Sequence, residues 1–273
     1  MRVHKPLVLT LRERPSQRLD LSGVVPGRLA GLSEAEISSI DVSTARGGAV
    51  VGDLFGVRMG EDASRVVIEG SCDRLDRIGE AMTAGEIVVE GDAGVRLGRR
   101  MTGGRLTVKG SAGPWAASGM TGGAIEISGD AGDRLGGPLA GETAGMRGGT
   151  VLVRGRAGER CGDRLRRGTI VVEGGAGAWA GSRMIAGTVV VLGRAGPLPG
   201  YLMQRGSIVL GDRAEEMSPS FVDCGVHELV AMHLLAGFLQ GLSPRAGRLA
   251  RRPLRRFVGD MATIGRGEIF VHA

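Results

Sequence analysis

GDAGVRLGRRMTGGRLTVKG, residues 91–110, is followed by GSAGPWAASGMTGGAIEISG at 110–129 and returns as GGAGAWAGSRMIAGTVVVLG at 174–193. The three stretches share one phrase of small residues, a methionine, a glycine and a short β-branched segment. One glycine column runs through Gly85, Gly104, Gly123, Gly149, Gly168, Gly187 and Gly206, in steps of 19, 19, 26, 19, 19 and 19 residues. A fixed period near twenty is the mark of a solenoid, in which each repeat buries its apolar face only against its neighbours.

The strand-like part of each repeat alternates apolar positions. One inward column reads Ile87, Leu106, Ile125, Val151, Ile170, Val189 and Ile208; a second reads Val89, Val108, Ile127, Val153, Val172, Val191 and Leu210. Stacked in register about 4.8 Å apart, they make a continuous aliphatic core. The Ala-Gly pairs from Ala93-Gly94 to Ala195-Gly196, with the glycines from Gly98 to Gly200 that follow, supply the sharp corners of the coil. A methionine column, Met82, Met101, Met120, Met146, Leu165, Met184 and Met203, is expected to point inward as adaptable filler. These columns predict a mostly β fold: a single-stranded, right-handed parallel β-helix of about seven to eight coils with α/β caps. The expected divisions are an N-terminal cap at 1–60, the β-helix at 61–213 and a C-terminal cap at 214–273.

Within the N-terminal cap, Leu7–Leu11 reads as a strand, Ser33 with Glu36 as a capping box opening a short helix over 33–39, and 48–58 as strand and turn. In the C-terminal cap, Val226–Leu239 reads as a helix with Leu229, Val230, Leu234, Leu235 and Phe238 available for burial; the basic stretch Arg245–Arg256 and a strand-like Glu268–His272 follow. The column between the two inward ones begins Val88, Thr107, Glu126 and turns apolar at Leu152, Val171, Val190 and Val209. That face needs a cover, either the C-terminal helix or another subunit.

Composition narrows the function. Fifty glycines against ten prolines, with no three-residue rule, exclude collagen, and the period excludes disorder. The net charge of +6 is carried almost wholly by arginine, since lysine occurs only at Lys5 and Lys109. A basic balance suits an anionic ligand or an acidic partner. Nucleic acid is not expected, because aromatic residues are 3% of the chain and no binding motif is present. Cys72, Cys161 and Cys224 form neither a disulfide framework nor a C-x-x-C pattern. The start lacks a signal-peptide core and no apolar run reaches eighteen residues, so a cytoplasmic protein with no membrane contact is expected.

No catalytic constellation stands out. His227 and His233 in HELVAMH are six apart, whereas the zinc-protease pattern needs four; Cys224, His227 and His233 could converge only through the fold, and His4 and His272 stand alone. The carboxylates Asp73, Glu126, Asp133 and Glu159 fall in different columns. What does repeat outward is positive charge. Two residues past each Ala-Gly lie Arg96, Trp115, Arg134, Arg160, Trp179 and Leu198, with Arg77 at the equivalent place in the first coil. Arg77, Arg96, Arg134 and Arg160 are the candidate anion-binding residues, beside a second column of Arg100, Arg164 and Arg183. A seven-residue insertion at Gly137–Thr143 adds a loop on one face. No catalytic residue and no metal ligand is assigned.

The repeated phrase, the insertion after Gly136, the segment Asp73–Met82 and the stretch Val51-Gly52-Asp53-Leu54-Phe55 together resemble the C subunit of formylmethanofuran dehydrogenase, along nearly the whole chain. Arg167 and Leu165 depart from the glycine and methionine usual in that coil. A related glycine-rich β-helix ends the glutamate synthase large subunit. In methanogens the resembled subunit supports a redox-active tungsten or molybdenum enzyme. In methylotrophic bacteria its counterpart belongs to a formyltransferase/hydrolase complex, toward which the arginine-rich composition leans. The resemblance implies a non-catalytic scaffold in one-carbon metabolism. Its implied partners are an amidohydrolase-like hydrolase subunit, a formyltransferase subunit and a further dehydrogenase-like subunit. The complex would use a methanofuran-like carrier (methylofuran), tetrahydromethanopterin and zinc, held in other subunits, with no cofactor in this chain. The redox-active dehydrogenase and a glutamate-synthase-type module are the alternatives. A carrier with a glutamate-rich tail would give the Arg77/Arg96/Arg134/Arg160 rail a purpose.

Overall fold

The computed structural model describes residues 5–43 and 48–272, so His4 lies outside the described residues. The strands stack as the columns require. Ile87, Leu106, Ile125, Val151, Ile170, Val189 and Ile208 align as successive partners in parallel pairs, and so do Val89 through Leu210. Both columns are fully or almost fully buried, because a β-strand turns alternate residues to the same side. All seven members of the methionine column are buried as well.

Each coil is held to the next at its corners too. Ala93, Ala112, Ala131, Ala157, Ala176 and Ala195 form a second parallel ladder of single bridges. Turn amides donate across coils, Gly98 N–H to the Ile78 carbonyl at 2.8 Å and Thr102 N–H to the Met82 carbonyl at 2.9 Å. The neighbouring coil therefore supplies the partners that a tight turn lacks within itself. The result is a mostly β, β-helix-like stack.

The stack reaches beyond the visible repeat. Leu7 and Leu9 align on Val66 and Ile68, which align on Ile87 and Val89. At the other end Ile208 and Leu210 align on Ile269 and Val271. The strands Pro6–Leu11 and Arg266–His272 are thus parallel rungs of one 13-stranded sheet. Antiparallel strands then finish it, Phe55–Arg58 at one end and Leu254–Gly259 with Val222–His227 at the other.

The caps differ from expectation in detail. Ser33 does form the capping box with Glu36, opening the helix Glu34–Ser38. Residues Val51–Leu54, expected as strand and turn, make a short helix. The long C-terminal helix is Val230–Leu242, because Val222–His227 is drawn into the terminal sheet as a strand. The basic stretch divides into the helix Pro244–Ala250 and the strand Leu254–Gly259.

The two C-terminal helices cover the greasy outer face. Leu152, Val171, Val190, Val209 and Phe270 pack against Met232, Ala236, Leu239, Leu249 and Ala250 in a second core. Ser243 pins this cover: it caps the helix Pro244–Ala250 and donates to the buried carboxylate of Glu173 at 2.5 Å. The expected burial of Val230, Leu234 and Phe238 is corrected, since they are 76%, 74% and 51% exposed. A helix whose only polar side chains are His233 and Gln240, on one flank, offers more than one apolar stripe to a sheet. Here small Ala236 lies at the centre of the stripe that reaches the valine floor.

Candidate functional site

Arg77, Arg96, Trp115, Arg134, Arg160, Trp179 and Leu198 occupy one position in successive coils, all with φ between 56° and 63°. The backbone N–H of each donates to the adjoining coil: Arg96 to the Pro114 carbonyl at 2.9 Å, Arg134 to that of Glu159 at 2.7 Å. Left-handed backbone costs a side-chain-bearing residue about 1–2 kcal/mol, and glycine nothing. The chain nevertheless carries arginine and tryptophan at these corners.

The four predicted arginines share a line but not an electrostatic state. Arg77 is engaged by Asp20 and Glu80, and its hydrogen bond to Glu80 is the largest factor holding its pKa above the ordinary value. Arg96 is exposed, and neither it, Arg134 nor Arg160 has a carboxylate partner among the described residues. Arg160 lies over the Trp179 ring, 4.8 Å from its centroid. The free charge of the rail therefore resides in Arg96, Arg134 and Arg160, with Asp133 and Glu159 exposed in the adjoining column.

The second column is organised by the insertion. Glu142 accepts from Arg99 at 2.8 Å and Arg100 at 3.3 Å, and its carbonyl accepts from Arg164 at 3.5 Å. Burial pushes the Glu142 carboxyl up; the Leu139 N–H together with Arg99 and Arg100 outweighs it and holds the pKa below the usual value. Arg99 also meets Glu80, which engages Arg77, so the chain Glu80–Arg99–Glu142 connects Arg77 of the first column to Arg100 of the second. Arg183 closes on Asp163, which is fully buried and also accepts from Ser182 at 2.8 Å. On one side of the loop is an open cleft of about 470 Å³ edged by Arg100, Thr102, Thr121 and Arg147. On the other is one of about 360 Å³ edged by Arg164, Arg183 and Gln204. Glu142, Asp163 and Arg99 carry no repeat signal, and only the fold reveals their role.

The remaining chemistry-bearing groups stay apart. His227 Nε2 lies 2.8 Å from the Cys224 carbonyl, and His233 is exposed on the long helix. Among the described residues no cluster of histidine, cysteine or carboxylate could hold a metal ion. Cys161 is buried, which pushes its thiol up to about 12 and leaves it protonated at neutral pH. No helix of the described residues is long and apolar enough to cross a membrane.

The GXGXG motif family matches residues 105–231. The chain is 54% identical over 265 residues to the C subunit of the formyltransferase/hydrolase complex Fhc of Methylorubrum extorquens, covering 97% of this chain and 99% of that one. It superposes with a TM-score of 0.91 and 47% identity on a chain in the crystal structure of the formyltransferase/hydrolase complex FhcABCD from the same organism in complex with methylofuran, covering 97% of this chain and 99% of that chain. The C subunit of the tungsten-containing formylmethanofuran dehydrogenase 2 of Methanococcus maripaludis is 38% identical over 90 residues, 33% of each chain.

Proposed function

The chain belongs to the family of formyltransferase/hydrolase complex C subunits, related to the C subunits of formylmethanofuran dehydrogenases, and on that footing we propose that it is the structural subunit of such a complex. The assembly would move formyl groups between tetrahydromethanopterin and a methanofuran-like carrier and release them as formate. This chain would hold the hydrolase-like, transferase-like and dehydrogenase-like subunits in a fixed arrangement without performing the chemistry. The observation that carries the reading is the end-to-end match: 99% of the Methylorubrum protein is covered, both terminal regions included. The redox-active alternative has a match over 33% of each chain.

A rigid stack suits this work. Its coils are joined at strand, alanine ladder and turn, so surfaces on different faces keep their separation. Within it, Arg96, Arg134 and Arg160 with Trp115 and Trp179 form the surface we assign to an acidic carrier tail. The support is that charged and aromatic side chains stand where glycine would be less strained.

The test is reconstitution. The purified full chain alone should show no formyl transfer or formate release, while the complex assembled with it should show both. Turnover by the chain alone would overturn the structural role. Arg96→Glu with Arg134→Glu should slow coupled transfer several-fold in an intact complex; an unchanged rate would remove the tail from this face.

A further inference from the structure

The long helix Val230–Leu242 is unusual in having no charged residue in thirteen positions. One side, Met232, Ala236 and Leu239, is used against the valine floor. The opposite side carries Val230, Leu234 and Phe238, all more than half exposed, together with Gly237 and Gly241. These residues recur at spacings of three and four, so they form one stripe. The exposed His233 and Gln240 lie along one edge of this stripe, and the stripe itself is apolar surface that nothing in this chain covers.

The two glycines make the shape of the cover specific. Elsewhere each described glycine has either positive φ or a neighbour that an added Cβ would meet within 4 Å. Gly237 and Gly241 have neither: the helix does not need their freedom, and a Cβ on either would meet nothing in this chain. Glycine inside a helix is a poor helix former, second only to proline. A pair spaced four apart at the centre of an exposed stripe leaves a shallow notch, bordered by Leu234 and Phe238, into which another helix can come close. Val230, Leu234 and Phe238 require that helix to present an apolar face, with His233 and Gln240 left at its rim.

Size indicates whose helix it is. Thirteen residues span about 20 Å, and one helix crossing of that length buries much less than the roughly 800 Å² per partner of a self-sufficient interface. The occupant is therefore held at other places too, as a neighbouring subunit would be in a multi-subunit assembly such as the FhcABCD complex of the similar C subunit. We infer that the outward face of the helix Val230–Leu242, with the Gly237/Gly241 notch at its centre, seats an apolar helix of another subunit of the complex. This rests on the functional reading above.

The experiment is co-expression of the full chain with the remaining subunits of its complex, followed by affinity capture and measurement of subunit ratios. Two variants are used, Gly237→Leu with Gly241→Leu, and separately Leu234→Arg. None of the three positions touches the chain's own core, so circular dichroism and the thermal midpoint of the isolated chain should be retained or raised. Capture of at least one identified subunit should fall tenfold or more in both variants. Undiminished capture by variants beside a competent wild type overturns this inference alone. A wild-type chain that captures none of the subunits overturns the functional reading first. An isolated wild-type chain that is dimeric by light scattering, and made monomeric by the same substitutions, overturns the choice of occupant.

Discussion

Gly123 and Gly98 both hold positive φ, +87° and +60°, yet an added methyl would meet different things. At Gly123 it would stand 2.8 Å from the Gly104 carbonyl oxygen, an atom of the coil below that cannot turn aside. At Gly98 it would meet the Cδ1 tip of Ile125 at 2.4 Å, a flexible end. The chain itself shows the difference: Ala117 fills the Gly98 column in the next coil at φ 59° and is fully buried. The strand-leading column from Gly85 to Gly206 never departs from glycine. Gly98→Ala is accordingly expected to cost about 1 kcal/mol and Gly123→Ala about 3 kcal/mol, the second including displacement of a coil. Urea unfolding of the two variants beside the parent checks the order, and equal losses would show that side-chain tips and backbone resist alike.

Among the elements, the insertion at Gly137–Thr143 is attached through a carboxylate whose pKa the fold lowers. Glu142 holds it to Arg99 and Arg100, and the carboxyl's pKa is lowered in the fold. A lowered folded-state pKa means the contact stabilises fully above the unfolded value, about 4.3, and is lost as pH falls through the folded value. Hydrogen exchange across 137–144, corrected for intrinsic rates, should therefore show protection at pH 7 that fades on acidification towards about pH 3. Glu142→Gln should remove that dependence; identical protection at both pH values in the parent would mean the loop is held by packing instead. The C-terminal helices are attached mainly through apolar contact, to which the Ser243–Glu173 hydrogen bond is added.

For the molecule as a whole, stability in a stack of like units is a sum over units and their shared faces. Removing residues 104–122 joins Gly103 to Gly123 and keeps every column in phase, because the excised length is one 19-residue period. The shortened chain is expected to remain soluble, keep its β-type circular dichroism and unfold cooperatively at a lower midpoint. Aggregation or loss of the β signal would show that the caps depend on a fixed number of coils. The excised coil lies outside the face covered by the C-terminal helices, so that second core is left whole.

The amino-acid sequence alone determined the repeating middle: which residues point inward, where the corners fall and which arginines share a line. Each of these is a local property copied once per period, and periodicity makes it readable. It also showed that the outer valine face from Leu152 to Val209 had to be covered, and the family resemblance named the biological setting. Tertiary structure alone decided what is not copied. Pro6–Leu11 and Arg266–His272 became rungs because their partners are distant in sequence or belong to the repeat's edge. Glu142 found Arg99 and Arg100 because a loop of irregular length can reach neighbouring coils. The long helix turned Met232, Ala236 and Leu239 inward and left Val230, Leu234 and Phe238 outward, since His233 and Gln240 mark one flank only and the choice between two apolar sides is settled by fit against the sheet.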